Sequence, residues 1–512
     1  MKIALLADPH LSDVENTPQD EPFRWALNEL SQLKPDVCVW LGDITACGSP
    51  DAAMRFRKKT GELSCPSVIV PGNSDIRTPA TAPLMERFLM NYPQGYLLNS
   101  LRIVGVNTSH DKIMEDERVR LSNLTITENV LLCTHQSPKH LDDSSREFFG
   151  NWIKGVQESG HRVLAWVHGH VHKYRTLDFE GIPAVAIRAL DLDKCIGGNA
   201  HFCILTVEDE TIRFDEVPYP HSDLETWTAQ ERMEIADLLG ITCYNRSKVE
   251  RDMPFAIENG VRHVEWRSIQ EEELPLIEQW RRAGGQTFSL HLSGLTSDGT
   301  ILKGKEKFWD YTRDAIRANA DMVTVHPPGP LNEIMLSGGT FDMLADEMAE
   351  ALLAVKDAGI DILVENNHTA RGTPKDPLLR SYGCSPMELL GWRDALNERL
   401  GRDACHLRLD IGHARNNVPL SQDYPLGKWY ALIGDQVHSY HIHQTVGDKI
   451  NGGMKNHHPI TGLHDGMVSF DGFFWAWRKG VLNHAPLILE IREGEGACAT
   501  WQRLHDIFLE GL

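Results

Sequence analysis

No two of the ten cysteines form a CxxC pair; Cys38, Cys47, Cys65, Cys133, Cys195, Cys203, Cys243, Cys384, Cys405 and Cys498 are scattered along the chain. Most lie in or beside apolar runs, so they read as buried free thiols in a reducing cytoplasm rather than a disulfide framework. No apolar stretch approaches the length of about 18 residues that a membrane-spanning helix needs. The opening apolar run, residues 2–7, stops at Asp8 and reads as a first β-strand rather than a signal peptide. Low-complexity segments are missing as well. Basic residues are in short supply: 51 Lys and Arg stand against 72 Asp and Glu, a formal charge of −21. Such a surface repels phosphate backbones and anionic lipid over most of its area, which disfavours nucleic acid and membrane as partners.

What is present is a folding composition: 512 residues, 41% hydrophobic and 24% charged. At roughly 100–200 residues per domain, that length allows two to four domains. Histidine is the abundant oddity, with 24 against 13 tryptophans.

Two patterns divide the chain. Residues 2–7, 36–41, 67–70, 101–106, 129–133 and 162–167 are short apolar runs ending in polar residues and followed by helical stretches, the pattern of buried strands in an open α/β sheet. Polar residues after such strands lie where α/β active sites sit. From about residue 174 to 217 the pattern alternates, as in hairpins. Pro218-Tyr219-Pro220-His221 marks the boundary, so the expected division is a domain over 1–217, a linker over 218–235 and a second domain over 236–512. In that second part, candidate strands at 240–244, 261–267, 287–293, 322–326, 361–366, 406–411, 437–443 and 486–491 alternate mostly with helices. Eight βα units in about 290 residues is the arithmetic of a (β/α)8 TIM barrel.

In the first part, Asp8-Pro9-His10, Gly42-Asp43, Gly72-Asn73-Ser74-Asp75, Thr134-His135 and Gly169-His170-Val171-His172 end strands or directly follow them. Such a set supplies imidazole and carboxylate ligands for two divalent metals, with Asp43 placed to bridge them. Two metals can ligate a phosphoryl group, activate water and stabilise in-line displacement. The order resembles the calcineurin-like metallophosphoesterase superfamily, whose motifs run DxH, GD, GNH(D/E), H and GHxH, and the resemblance covers roughly residues 1–215. It implies an α/β sandwich with Asp8, His10, Asp43 and His172 on one metal and Asp43, Asn73, His135 and His170 on the other, the metals being Mn, Fe or Zn. Asn73 and Asp75 are then expected at the catalytic centre. Ser74 stands where most of the family has the histidine that assists the leaving group. A serine is no acid at neutral pH, which points to diesters or good leaving groups, or to another donor such as His110.

In the second part, His291, His326, Glu365, Asp410, His413, His441, His443 and Glu490 fall at the ends of the expected strands, on the face where barrel active sites lie. Burying those acids together is unfavourable without a cation. The strings Leu363-Val364-Glu365-Asn366, Leu409-Asp410-Ile411-Gly412-His413, His441-Ile442-His443-Gln444 and Leu489-Glu490-Ile491 resemble the xylose-isomerase-like barrel superfamily, over roughly residues 235–512. In its isomerase and epimerase branches one metal (Mn, Zn, Mg or Co) would be held by Glu365, Asp410, His441 and Glu490, with Glu365 and Glu490 as a base and acid pair. Endonuclease IV, in the same superfamily, is the rival. It would add His291 and His326 and raise the count to three zincs; His413, His443 and His458 are further candidate metal or substrate ligands. Its late Asp-x-His is replaced by Asn456-His457-His458, and residues 223–512 carry 29 Lys and Arg against 42 Asp and Glu, a poor match to duplex DNA.

The expectation is therefore a bifunctional cytoplasmic enzyme: a phosphodiesterase for a small sugar- or polyol-linked ester, fused to a sugar isomerase or epimerase acting on a related compound. The alternative is a nucleic-acid-processing protein. Barrels of this class often associate, so a homo-oligomer is also expected.

Overall fold

The structure is a computed structural model that describes the chain except residues 209–210, 221–223, 245, 293–294, 298–301, 370–375, 418–419, 448–453, 493 and 511–512. His221 of the expected boundary and Ser293 of an expected strand end lie outside the described residues. The chain divides into two compact units, Met1–Asp223 with Ser469–Trp475, and Leu224–Val468 with Ala476–Leu512.

In chain order the first unit contains β1 (Lys2–Leu6), β2 (Val37–Leu41), β3 (Ser67–Val70), β4 (Tyr96–Leu98), β5 (Leu101–Gly105), β6 (Asn129–Thr134), β7 (Val163–His168), β8 (Arg175–Phe179), β9 (Ile182–Ala186), β10 (His201–Glu208) and β11 (Thr211–Pro218). They make two sheets, β11-β10-β1-β2-β3 and β4-β5-β6-β7-β9-β8. Because side chains alternate across a strand, each sheet buries two sets of residues. Ile3, Leu5, Val37, Val39 and Leu41 from one sheet and Ile103, Leu131, Cys133, Ala165 and Val167 from the other fill the core between the sheets. The opposite set, Ala4, Leu6, Cys38 and Trp40, packs on Phe23, Ala26 and Leu30 of the helix Asp20–Leu33 and on Phe56 of the helix Pro50–Thr60. Leu132 and Trp166 likewise pack with Phe149 and Ile153 of the helix Asp143–Glu158. The result is an α/β sandwich. The alternating stretch after residue 174 forms the antiparallel pairs β8/β9 and β10/β11.

The second unit continues with β12 (Leu239–Cys243), β13 (His263–Trp266), β14 (Thr287–His291), β15 (Thr296–Ser297), β16 (Leu302–Lys303), β17 (Met322–Val325), β18 (Asp361–Glu365), β19 (Cys405–Asp410), β20 (Val437–Ile442), β21 (Gln444–Gly447), β22 (Met454–His458) and β23 (Leu487–Leu489). Eight of these close as β12-β13-β14-β17-β18-β19-β20-β23, a parallel TIM barrel. Outer helices bury one stripe each: Leu344, Met348, Leu352 and Val355 recur at helical spacing in Thr340–Asp357. Each such Leu or Val contributes roughly 1.5–3 kcal/mol on full burial.

Within the stretch expected as a linker over 218–235, residues 229–235 belong to a helix. Thr228 and Glu231 form a capping box at the start of the helix Ala229–Leu238, and Arg232 Nε donates to the Phe508 carbonyl at 2.7 Å. Proline ends β11, but the capping signature a few residues later starts the first helix of the barrel unit. Among the described residues no helix is long and apolar enough to cross a membrane.

Candidate metal centres

In the first unit, Asp8 and His10 follow β1, Asp43 follows β2, Asn73 follows β3, His135 follows β6, and His170 and His172 follow β7. Five of them are held in left-handed backbone conformations, with φ of 53° at Asp8, 43° at His10, 50° at Asp43, 68° at His170 and 54° at His172. Such residues store about 1–3 kcal/mol each and persist where the surroundings over-determine them, which is a feature of functional sites. The glycines beside them permit close approach. A Cβ on Gly72 would lie 2.2 Å from the Asp43 nitrogen, and one on Gly42, itself at φ +86°, 2.7 Å from His135 Nδ1.

Donor atoms of Asp8, His10, Asp43 and His172 all lie within 4.8 Å of one another. His10 Nε2 stands 3.1 Å from Asp43 Oδ2, while His135 Nε2 stands 3.3 Å from Asp43 Oδ1. Asn73 Oδ1 is 3.0 Å from both His135 Nε2 and His170 Nδ1. Two donor groups thus meet on the two oxygens of Asp43. Burial pushes the Asp8 carboxyl up to about 7 despite His135, and burial with His135 drives His170 down to about 3. At Asp43 burial opposes ionisation, but His135, His10 and Arg77 outweigh it and hold its carboxyl well below the usual range. Buried carboxylates among imidazoles are the donor chemistry that suits divalent cations.

Not every expected site residue faces this group. Asp75 is buried, with Oδ1 accepting from Thr45 N at 2.7 Å and Thr45 Oγ1 at 2.9 Å, and Oδ2 from Gly72 N at 2.8 Å and Ile44 N at 3.2 Å. Its oxygens are spent clamping the two ligand loops, a positioning role rather than a catalytic one. His110 is exposed and tied to Glu86, Nε2 to Oε1 at 2.9 Å, with no described contact to a donor. Ser74 Oγ is buried without a hydrogen-bond partner among the described residues, while its backbone N–H donates to Asp43 Oδ1 at 2.7 Å.

Sequence reasoning missed other residues. Asp191 Oδ2 sits 3.3 Å from His10 Nδ1, and Gln19 Nε2 donates to Asp191 Oδ1 at 2.8 Å and to Asp193 Oδ2 at 2.7 Å, so a carboxylate behind His10 orients its ring. Gln136 Nε2 donates to Asn73 Oδ1 at 3.3 Å and also to Asp111, and the His140 ring meets that of His170 at 4.9 Å. The acidic pair in Leu190-Asp191-Leu192-Asp193, just beyond β9, was the available signal.

In the barrel, His291, Glu365 and Asp410 end β14, β18 and β19, His441 lies in β20, and Glu490 follows β23. Glu365, Asp410, His441 and Glu490 bring donor atoms within 4.8 Å of one another. Two further groups overlap this one: His291, Glu365 and His441, and Asp410, His413, His443 and His457. His326 Nε2 adds a contact to Glu365 Oε2 at 3.5 Å, and His443 Nε2 reaches Asp410 Oδ1 at 3.0 Å. His457, in β22 with φ 63°, joins the described groups where His458 was expected. Glu365 Oε2, Glu490 Oε2, His291 Nδ1 and His413 Nε2 are buried without hydrogen-bond partners among the described residues. Unspent carboxylate oxygens and ring nitrogens converging in a buried site fit divalent cations.

Beneath this group lies an ion pair that the sequence reading passed over. Glu265 Oε2 accepts from Ser289 Oγ and Thr324 Oγ1, each at 3.1 Å, and from Arg408 Nη1. Its Oε1 stands 2.8 Å from His441 Nε2, while His441 Nδ1 stands 2.9 Å from Glu365 Oε1 and 3.3 Å from Glu490 Oε2. Glu265 thereby aims His441 at the other donors. Burial disfavours charge on His441, but Glu365 and Glu265 outweigh it and raise the imidazole well above its ordinary range. Asn366 and Asn367 cap loops: Asn366 Oδ1 accepts from Asp410 N at 2.7 Å, and Asn367 Nδ2 donates to the Tyr382 carbonyl at 2.8 Å.

Residues 1–174 match the family model of the calcineurin-like phosphoesterases. A curated relative, described as a probable cyclic nucleotide phosphodiesterase of Rhodococcus erythropolis, is 26% identical over 255 residues, covering 41% of this chain and 82% of that protein. Among solved structures, a D-tagatose 3-epimerase-like protein is similar over 53% of this chain and 97% of its own, at 16% identity and a TM-score of 0.39. An L-ribulose 3-epimerase matches over 52% and 92%, at 14% identity and 0.38. A xylose isomerase-like TIM barrel protein from Mycobacterium smegmatis, in complex with magnesium, matches over 51% and 87%, at 15% identity and 0.35. The barrel itself is defined by the closed order of its own eight strands.

Proposed function

We propose that the first unit is a two-metal phosphodiesterase for a small ester of a sugar or polyol, and that the barrel is a metal-dependent isomerase or epimerase for a related polyhydroxylated compound. The observation that carries the first half is Asp43, whose two oxygens face two donor groups. When bound, divalent cations (Mn, Fe or Zn) would supply positive charge to phosphoryl oxygens and activate water. Asn73, His135 and His170 hold one side of the group and Asp8, His10 and His172 the other, while Asp191 and Gln136 orient His10 and Asn73. With a buried hydroxyl at Ser74 and His110 engaged by Glu86, the site offers no evident acid to a poor leaving group, which favours diesters with good ones.

In the barrel, Glu365 and Glu490 each keep one oxygen free of hydrogen bonds, the arrangement needed to remove a proton from a substrate carbon and return it. Asp410 and His441 complete a set for one divalent cation, Mn, Zn, Mg or Co. The ten free cysteines support a reducing, cytoplasmic setting, and the acidic surface supports a small-molecule substrate over nucleic acid. Self-association is part of the proposal. The test is hydrolysis of a bis-aryl phosphate and an aryl monophosphate, with the Asp43→Ala variant as control, beside a sugar panel in deuterated water. The reading expects diester hydrolysis lost in Asp43→Ala, and solvent deuterium at a sugar carbon lost in Glu490→Gln. Absence of both activities in metal-loaded protein overturns it.

A second reading is favoured by one observation: three overlapping donor groups in the barrel, anchored on Glu365 and Asp410. They support up to three zincs in the manner of a nuclease. About three zincs per barrel with cleavage of abasic DNA would establish it; one metal without cleavage would dismiss it.

A further inference from the structure

Three adjacent strand ends at the barrel mouth carry side chains used by none of the steps above. Tyr244 follows β12, Arg267 follows β13, and Arg492 lies two residues beyond Glu490, after β23; these strands are neighbours in the barrel. The guanidinium carbon of Arg267 stands 4.2 Å from the Tyr244 ring centroid, and that of Arg492 stands 4.6 Å from it. Arg492 has a carboxylate partner in Glu490. Arg267 meets no carboxylate among the described residues, and the Nε atoms of both arginines are buried without a hydrogen-bond partner there. Arg267 and Tyr244 line one small cavity with Glu490 and His291, so these two residues share a space with two of the metal donors.

Both guanidiniums stay charged at any physiological pH. The tyrosine face braces them but does not neutralise them. The counter-charge of Arg492, Glu490, is also a metal donor, so a cation on Glu490 would draw that charge away. A buried N–H without an acceptor is unfavourable unless a ligand supplies one. A group with several anionic oxygens relieves all of these costs, and the planar fork of arginine matches carboxylate and phosphate in two-point fashion.

We propose that Arg267 and Arg492, braced on Tyr244, form a subsite for an anionic oxygen group, carboxylate or phosphate, on the compound that the barrel processes. This rests on the reading of the barrel as a metal-dependent enzyme for polyhydroxylated compounds, and narrows that class to acids or phosphorylated members. It also links the two halves chemically. Water adding across a phosphodiester gives one alcohol and one phosphomonoester, and the phosphomonoester carries the charge this subsite takes.

The test uses glycerol, glycerate and glycerol 3-phosphate, which differ only in the anionic group, titrated calorimetrically into the full metal-loaded chain. An Asp43→Asn background silences the first centre. At least one charged probe should bind tenfold or more tighter than glycerol. Arg267→Gln should cut that advantage about tenfold while leaving glycerol affinity and barrel metal content unchanged, and Arg267→Lys should keep part of it. The two charged arms distinguish carboxylate from phosphate. Charged probes binding no tighter than glycerol, or an advantage that survives Arg267→Gln, overturns the subsite. Anion preference without isomerase or epimerase turnover would instead retire the proposed barrel reaction and leave the subsite standing.

Discussion

Replacing Glu265 by Gln separates two roles of one buried carboxylate. The side chain keeps its size but loses its charge, stranding Arg408, which is fully buried with Nη1 against Glu265 and Nη2 donating to Ser439 Oγ at 3.0 Å. Breaking a buried pair from one side costs about 3–5 kcal/mol, because the remaining charge is uncompensated. Removing both charges with Glu265→Gln/Arg408→Met should cost much less, since a well-packed neutral pair is often no worse than the ion pair. The other role is at His441, where Glu265 Oε1 stands 2.8 Å from Nε2 and directs Nδ1 to Glu365 and Glu490. Loss of such an orienting carboxylate typically weakens metal binding about 10–100-fold. Both the single and the double variant should show that loss, because neither retains the orienting carboxylate. Denaturant unfolding of the metal-free chains, followed in the barrel, reads the first effect, and competition with a chromophoric chelator reads the second. The reasoning fails if Glu265→Gln leaves the metal-free barrel as stable as wild type, or if the double variant recovers wild-type metal affinity.

Other perturbations give equally definite expectations. Ser74→Ala should change diester hydrolysis by less than about threefold, because the hydroxyl it removes has no partner among the described residues; a larger loss in kcat would show that the hydroxyl acts. Gly72→Ala should disable the first centre and cost about 1–3 kcal/mol, since its Cβ would sit 2.2 Å from the Asp43 nitrogen; full metal content by elemental analysis would contradict this. His263, buried in β13, is driven down to about 4 by burial and then by Arg262, so the unfolded chain binds a proton more readily than the folded one. Its contribution is intact above the unfolded value near 6.5 and is lost as pH falls towards 4, by up to about 3 kcal/mol. In a pH series of unfolding free energies, His263→Gln should flatten that acid slope, and an unchanged slope would refute the assignment.

Much of this architecture can be read from the chain because strand and ligand signals coincide. Most of the short apolar runs end at or within a few residues of a His, Asp, Asn or Glu, and β1, β2, β3, β6, β7 and the eight barrel strands fall within a few residues of those runs. The metal-donor motifs are contiguous and therefore legible. What was hidden depends on partners far apart in sequence. Glu265 and Arg408 look like stray charges inside apolar strands until the barrel closes and sets them against each other. Asp75 is expected at the catalytic centre beside Asn73, yet its oxygens accept from four backbone and hydroxyl donors. His457 and His458 are indistinguishable in a string, and only the fold sets His457 among Asp410, His413 and His443. The segment over 218–235 shows the opposite error, since its prolines outweighed the capping box that follows.

On the proposed function, one chain holds two separate metal centres, each assembled from its own strand-end donors. Elemental analysis of the purified full chain, compared with Asp43→Ala and Glu490→Gln, tests it most directly. The account predicts that Asp43→Ala removes about two metals per chain and leaves the barrel loaded, while Glu490→Gln depletes the barrel alone. A wild-type chain without stoichiometric metal, or a single substitution that empties both centres, would contradict it.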